Sequence, residues 1–520
     1  ISLIFVTMLF SQNQPLPYKN PDLNIKDRVT DLLSRMTFEE KCWQLFMIPG
    51  DLSNEYPHGV FGLQVATKGS AEGVSQQLLD YDGTGGSAKS VAKKINTIQK
   101  YFVEETRLGI PIIPFDEALH GLVREGATAF PQAIALAATW NTELVGQVAK
   151  AISVETKTRG IRQALSPVIN IGRDVRWGRI EETYGEDTFL TAQMAVAFVS
   201  EFEKMGVITT PKHLIANVGD GGRDSYPIHF NERLLREIYF PAYKACFQIG
   251  GTRSAMTAYN SLDGIACSTN NWLLNEIVKK EWGFDGFIIS DAGAVPGTTD
   301  LHYTTRDYGE SAKASIENGM DVVFQTAYNH YPLFFTDAEK RIDEKAVNEA
   351  VRRVLRAKFE LGLFENPYVD PDEAAKWNGC DSHKELAKQA ALESMVLLKN
   401  DNNVLPINSD VKKIAIIGQD AAAARLGGYS GPGNDKVSIL SGFLNRAGES
   451  VKIEHVEGCV REAVDLVTVP AEYFSCEKGD GLVAEYFDNI LCQGEPAFTR
   501  TEQHISAHWT LFSPNPEKLA

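Results

Sequence analysis

The chain lacks what several large function classes require. No stretch of its 520 residues is apolar over the ~20 positions of a membrane-spanning helix; Ile1 to Phe10, the one strongly apolar terminal run, is too short. Positive charge is scarce. Lys and Arg total 51 against 68 Asp and Glu, a net charge of −17, which argues against nucleic acid or an anionic membrane as the partner. The seven cysteines (Cys42, Cys246, Cys267, Cys380, Cys459, Cys476 and Cys492) show no CxxC spacing. Neither a zinc site nor a dense disulfide framework is expected, and the odd count leaves at least one free thiol. GxxxxGK[ST], HExxH and EF-hand patterns are absent too, so the sequence asks for no metal and no other cofactor. Residues 427–433, Gly-Gly-Tyr-Ser-Gly-Pro-Gly, follow a strand but lack dinucleotide-fingerprint spacing, and read as a loop of the second domain.

What is present is a globular composition, 43% hydrophobic, long enough for two or three domains. The apolar start reads as the tail of a signal peptide without its charged segment or initiating Met. The chain is therefore expected to be clipped at its start, with residues 1–20 as leader and a secreted or periplasmic destination. From residue 21 to 365, short β-branched runs alternate with longer stretches of helical period, the pattern of a parallel sheet. Strands are expected at 59–65, 111–115, 163–169, 207–210, 254–259, 286–290 and 320–324, and seven or eight such units fit a TIM-type (β/α) barrel. Asp187 and Asn231 are candidate helix caps, and Val347, Val351, Val354, Leu355 and Phe359 form one apolar face. Periodicity lapses over 366–381, the expected linker. A second α/β unit follows over 382–475, with a helix through Leu386, Ala390 and Leu397 and a strand at 413–417. Residues 476–520 turn to short alternating runs of antiparallel character, too few to close a β domain, so the C-terminus is also expected to be cut.

Catalytic groups of such barrels sit at the C-terminal ends of strands. Several runs end on polar residues there: Asp291 after Ile288-Ile289-Ser290, Asp116, Glu117 and His120 after 111–115, Lys212 and His213 after 207–210, Tyr259 and Asn260 after 254–257, and Arg179 beyond Asn170. A strand-end Asp is often only a helix cap, but five such runs converging on one barrel mouth suit the recognition of several sugar hydroxyls and an oxocarbenium-like transition state.

Five ordered motifs carry a resemblance: Pro111-Ile-Ile-Pro-Phe-Asp-Glu-Ala-Leu-His-Gly121, Gly172-Arg-Asp-Val-Arg-Trp-Gly-Arg179 with Tyr184-Gly-Glu-Asp187, Lys212-His213, Ala258-Tyr-Asn260, and Gly283-Phe-Asp-Gly-Phe-Ile-Ile-Ser-Asp291. Over residues 25–470 the chain resembles glycoside hydrolase family 3. The resemblance implies a retaining exo-β-glycosidase built from a barrel and an α/β sandwich domain, acting on xylo- or gluco-oligosaccharides; assembly into a homo-oligomer is left open. It implies Asp291 as nucleophile, and Glu117, Arg179, Lys212, His213 and Tyr259 as holders of the terminal sugar, with Arg223 and His120 beside them. Lys212 or Arg179 near Asp291 would keep that carboxylate ionised.

Departures from the family pattern narrow the reading. Ala292 stands where many relatives place a Trp that packs on the sugar, so another residue must supply that wall. Lys212-His-Leu-Ile-Ala-Asn217 and Asp224-Ser-Tyr226 lack the Pro-Gly and the final His of the hexosaminidase branch, which excludes it. Glu117 stands where family glucosidases usually carry Asp, and the extra methylene reaches into space that a glucose hydroxymethyl group would fill. A β-D-xylosidase is therefore expected, with β-D-glucosidase as the alternative. Residues 481–489, with 505–509, resemble the opening of a PA14 module, inserted in the second domain of some members. The resemblance places the proton-donating Glu beyond that insertion and past Ala520; neither Glu393 nor Glu485 lies in a matching motif, and a non-catalytic sugar-binding protein is the rival reading.

Overall fold

A computed structural model describes residues 16–65, 86–218, 226–448, 450–459, 468–476, 479–489, 491–504, 514–515 and 518. The apolar start, Arg223 and 505–509 lie outside the described residues. The chain divides into two compact units, the first holding the described residues up to Val396 together with Leu426–Asn434, the second the rest.

In the first unit eight short strands form a ring: β1 (Phe46–Pro49), β2 (Gly62–Gln64), β3 (Phe115–Asp116), β4 (Gln163–Ala164), β5 (Ile208–Thr209), β6 (Ser254–Met256), β7 (Phe287–Ile289) and β8 (Val323–Phe324). The pairs β1–β2, β3–β4, β4–β5, β6–β7 and β8–β1 are parallel. Backbone bonds outside these ladders complete the circuit, among them Ile113 N–H to the Phe61 carbonyl, Met256 N–H to that of Pro211, and Ser290 N–H to that of Val322. Phe46, Met47, Ile48, Phe287, Ile288 and Ile289 are fully buried, which explains why these strands read as continuous apolar runs rather than as alternations. β1 is not among the strands expected from the sequence. Its four residues follow directly on the short helix Phe38–Trp43, so the two merge into one apolar stretch with no turn signal between them.

The two caps expected from the sequence, Asp187 and Asn231, each open a helix of the first unit. The helices of that unit include α1 (Ala88–Glu104), α2 (Thr142–Thr158), α3 (Thr188–Lys204) and α4 (Glu344–Glu360). The Asp187 carboxylate accepts the Leu190 N–H at 2.7 Å, and Asn231 accepts that of Leu234, each satisfying an orphan donor of a helix start. In α4 the expected apolar face, Val347 to Phe359, is buried.

Close packing of the ring leaves a measurable signature at Gly62, where a Cβ would lie 2.0 Å from the Ile113 carbonyl oxygen. That atom is backbone and cannot swing aside. Gly62→Ala is expected to destabilise the first unit by about 3 kcal/mol, read as a fall of several degrees in the thermal unfolding midpoint.

The first unit extends beyond the linker read from the sequence. The helix α5 (Asp381–Glu393) belongs to it, tied by His383 Nδ1 at 2.7 Å from Glu155 Oε1 and by Asn141 Nδ2 donating to Glu393 Oε2 at 3.0 Å. Leu397 lies outside that helix. Residues 427–433 also depart from expectation: they pack within the first unit, not the second. The second unit contains β9 (Lys413–Ile417) paired in parallel with β10 (Lys452–Val456), and β11 (Leu482–Tyr486) paired antiparallel with β12 (Phe498–Glu502). No helix among the described residues is long and apolar enough to cross a membrane.

Candidate active site

Asp291 lies two residues beyond the end of β7. The strand end is pinned by Ser290, whose Oγ accepts the Phe324 N–H at 2.9 Å, while Asp291 Oδ1 accepts the Ala292 N–H at 2.7 Å. Its other oxygen, Oδ2, lies 3.5 Å from His213 Nε2. Asn170 orients that imidazole: its Oδ1 takes both the His213 main-chain N–H (2.8 Å) and Nδ1 (2.9 Å), and its Nδ2 donates to the His213 carbonyl. An amide oxygen only accepts, so Nδ1 carries a proton. Nε2 therefore offers Asp291 a lone pair when the ring is neutral and a proton when it is charged.

The neighbouring side chain, Lys212, points to a different carboxylate. Its ammonium donates to both oxygens of Glu117, at 3.0 and 2.9 Å, and both side chains are almost wholly buried. Glu117 follows β3, and its N–H is held by Asp116 Oδ1. Asp116 itself is occupied by Gln64 and Arg124, which makes it a strand-end anchor rather than a free reactant. Burial pushes the Glu117 carboxyl up to about 7, against the opposing pull of Lys212, and the nearby Asp291 and Asp116 charges push in the same direction as burial.

Arg179 is likewise committed, its Nε and Nη2 each 2.8 Å from a different oxygen of Glu182, a bidentate pair. Each cation expected beside Asp291 thus bonds a second carboxylate, Lys212 to Glu117 and Arg179 to Glu182, and His213 is a basic group placed directly against an Asp291 oxygen. Tyr259 donates its hydroxyl to the Ala292 carbonyl at 2.9 Å, tying the end of β6 to the residue after the candidate nucleophile. His120 meets two other partners, with Nδ1 2.7 Å from the Phe130 carbonyl and Nε2 2.8 Å from Ser430 Oγ. Both of its ring nitrogens are thus engaged within the protein. Arg223 has no described position. Among the described residues no group of three His, Cys, Asp or Glu side chains gathers that could hold a metal.

Tyr429 is the residue that the sequence did not single out. Its ring packs on the buried Leu119, Val168 and Trp177, with Lys212 Nζ 4.9 Å and Arg179 Cζ 5.5 Å from the ring centre. Burial raises the phenol, against the pull of Arg179, and the Glu117, Glu182 and Asp291 charges push in the same direction as burial. One tyrosine therefore marks the point at which the separate strand ends meet. The signals that were available are local ones: Glu182 is three residues from Arg179, and Tyr429 lies in the glycine-rich run.

The chain is similar to known proteins. Residues 38–357 match the glycosyl hydrolase family 3 N terminal domain and 395–501 the family's C-terminal domain. A β-xylosidase of Formosa agariphila is 33% identical over 433 residues, covering 76% of this chain and 59% of that protein. A periplasmic β-glucosidase of Salmonella typhimurium is 30% identical over 447 residues, covering 83% and 55%. The structure of a β-glucosidase from Erythrobacter marinus superposes with a TM-score of 0.78 at 30% identity, over 86% of this chain and 60% of that one. The chain thus spans between half and three fifths of the length of these relatives. With the family's N-terminal domain matched over residues 38–357, more than half of the chain and the whole of the ring, the chain belongs to glycosyl hydrolase family 3.

Proposed function

We propose that the chain carries the sugar-holding and nucleophilic part of a retaining exo-β-glycosidase that removes terminal sugars from β-linked oligosaccharides, with D-xylose as the preferred sugar. The observation that carries this reading is the pairing, at one mouth of the ring, of Asp291 beside His213 with the buried Glu117–Lys212 pair. The Asp291 carboxylate attacks the anomeric carbon while the bond to the leaving oxygen breaks; that oxygen takes a proton from a general acid or leaves as a stable anion. Water then cleaves the glycosyl-aspartate ester and restores the carboxylate. Lys212, Arg179 and Glu117 offer charged partners to vicinal hydroxyls, for which charge-assisted hydrogen bonds are the strong kind.

The choice of pentose rests on Glu117, whose carboxylate reaches one methylene further than an Asp would. Relatives named β-xylosidase and β-glucosidase both match the chain, so β-glucosidase is the alternative. Export to the periplasm or beyond is supported by the Salmonella protein named periplasmic. The antiparallel β11–β12 pair supports reading residues from 481 onward as the start of a PA14-type insert.

The test compares 2,4-dinitrophenyl β-D-xyloside with the corresponding glucoside, since these leaving groups need no protonation. The parent is expected to favour xyloside, and Glu117→Asp to move the ratio of kcat/KM values towards glucoside by about 10- to 100-fold, the value of one methylene in a sugar pocket. Glucoside preference in the parent points to the alternative, and turnover of neither points to a sugar-binding role.

A further inference from the structure

Residues 427–433 reach the first unit from a stretch of sequence flanked on both sides by the second unit, and they are docked with little slack. Gln132 Nε2 donates to the Leu426 and Gly428 carbonyls at 3.1 and 2.9 Å, and the Gly428 N–H donates to Glu181 Oε1 at 2.7 Å. The glycines make that approach possible. A Cβ on Gly427 would lie 2.4 Å from Gln132 Nε2, and one on Gly431 3.0 Å from the Arg124 carbonyl oxygen. Between them Tyr429 sits at φ +50°, a left-handed conformation disfavoured for a residue with a Cβ and maintained only where the surroundings impose it.

The contact that fixes the next residue is Ser430 Oγ to His120 Nε2 at 2.8 Å. Since Nδ1 faces the Phe130 carbonyl, Nδ1 carries a proton and Nε2 is left for the loop. Ser430 Oγ is also 3.0 Å from the Leu426 carbonyl. The hydroxyl donates to a neutral imidazole, or accepts from a charged one while donating to Leu426, so the link holds in both states. His120 is 1% exposed, and both ring nitrogens are engaged.

We propose that His120 is a positioning residue: through Ser430 it latches the 426–434 loop onto the ring, and the latched loop sets the Tyr429 ring against Lys212 and Arg179, the two cations assigned to the sugar. This rests on the glycosidase reading above and gives the glycine-rich run its task. Neither His120 nor Ser430 touches sugar in this scheme; loosening the latch leaves both cations in place but less well aimed, so binding weakens in ground and transition state alike.

The test uses the whole chain and five variants, one of them double. Asn mimics the Nδ1 side of histidine and Gln the Nε2 side, so His120→Asn keeps the Phe130 contact and His120→Gln keeps the Ser430 contact. His120→Asn and Ser430→Ala are expected to raise KM for an aryl glycoside by roughly three- to tenfold, the value of one hydrogen bond, with kcat little changed. His120→Gln stays near the parent. In a Tyr429→Leu background Ser430→Ala has no further effect, because the latch acts through that ring. Amide hydrogen exchange, which needs no turnover, is expected to quicken across 426–434 in His120→Asn and Ser430→Ala alone. Unchanged exchange there overturns the latch whatever the activity. His120→Gln as impaired as His120→Asn, or an undiminished Ser430→Ala effect without Tyr429, also overturns it. Faster exchange in a chain that hydrolyses neither glycoside upholds the latch and refutes the glycosidase reading instead.

Discussion

Asp291→Asn is expected to lower turnover of an activated aryl β-glycoside by about a thousandfold or more, the scale on which an enzyme loses its covalent nucleophile. The substitution is nearly isosteric. The amide oxygen still accepts the Ala292 N–H that Asp291 Oδ1 takes in the parent, so the end of β7 has no reason to move. What changes is chemical: an amide does not form the glycosyl ester. Unfolding midpoint and affinity for free monosaccharide are therefore expected to stay close to the parent while the rate collapses. A variant that keeps its rate removes Asp291 from the nucleophile's role.

The second large effect is expected at Lys212. Lys212→Met keeps the length of the side chain and the backbone bridge between Lys212 and Val168, but strips the ammonium from both oxygens of Glu117. Breaking a buried pair from one side leaves an uncompensated charge, at a cost of about 3–5 kcal/mol. The protein relieves this by protonating the carboxyl. In the parent Glu117 is already pushed up to about 7 from an ordinary 4.5, so the folded state binds the proton more tightly than the unfolded one. The stability this confers is full below pH 4.5 and is lost as pH rises through 7. Without Lys212 the folded value climbs further and the loss extends to higher pH. The variant is thus expected to unfold near the parent temperature at pH 5 and well below it at pH 8. Its kcat/KM is expected to fall by about a hundredfold or more at pH 7, since a charge-assisted grip on the sugar and the ionised form of Glu117 disappear together. Equal stability loss at pH 5 and pH 8 contradicts the proposed coupling.

Much of this site is visible in sequence because a strand end leaves a local mark: an apolar run that stops on Asp291, on Glu117 or on Lys212-His213. The structure adds the partners, and these are far away in the chain. Nothing local says that Lys212 answers to Glu117, 95 positions earlier, so the cation expected to attend Asp291 proves to serve another carboxylate. The same holds for α5, whose polarity suggests the opening of a new domain until His383 is seen against Glu155, 228 positions away. β1 escapes notice for the opposite reason, as its neighbours are so apolar that no boundary shows. Tyr429 escapes because a glycine-rich run signals only a loop. That its glycines serve the close approach to Gln132 and Arg124 is a property of the partner surface.

The central claim is that Asp291 forms a covalent bond to the sugar. It is tested most directly by incubating the chain with 2-deoxy-2-fluoro-β-D-xylosyl fluoride and locating any adduct by peptide mass spectrometry. The 2-fluorine destabilises the oxocarbenium-like transition states while fluoride departs without needing a proton, so a retaining enzyme stalls at the glycosyl ester. One fluoroxylosyl group on the peptide that carries Asp291, absent from Asp291→Asn, is the predicted result; a label on a different carboxylate, or none with either the xylosyl or the glucosyl reagent, contradicts it.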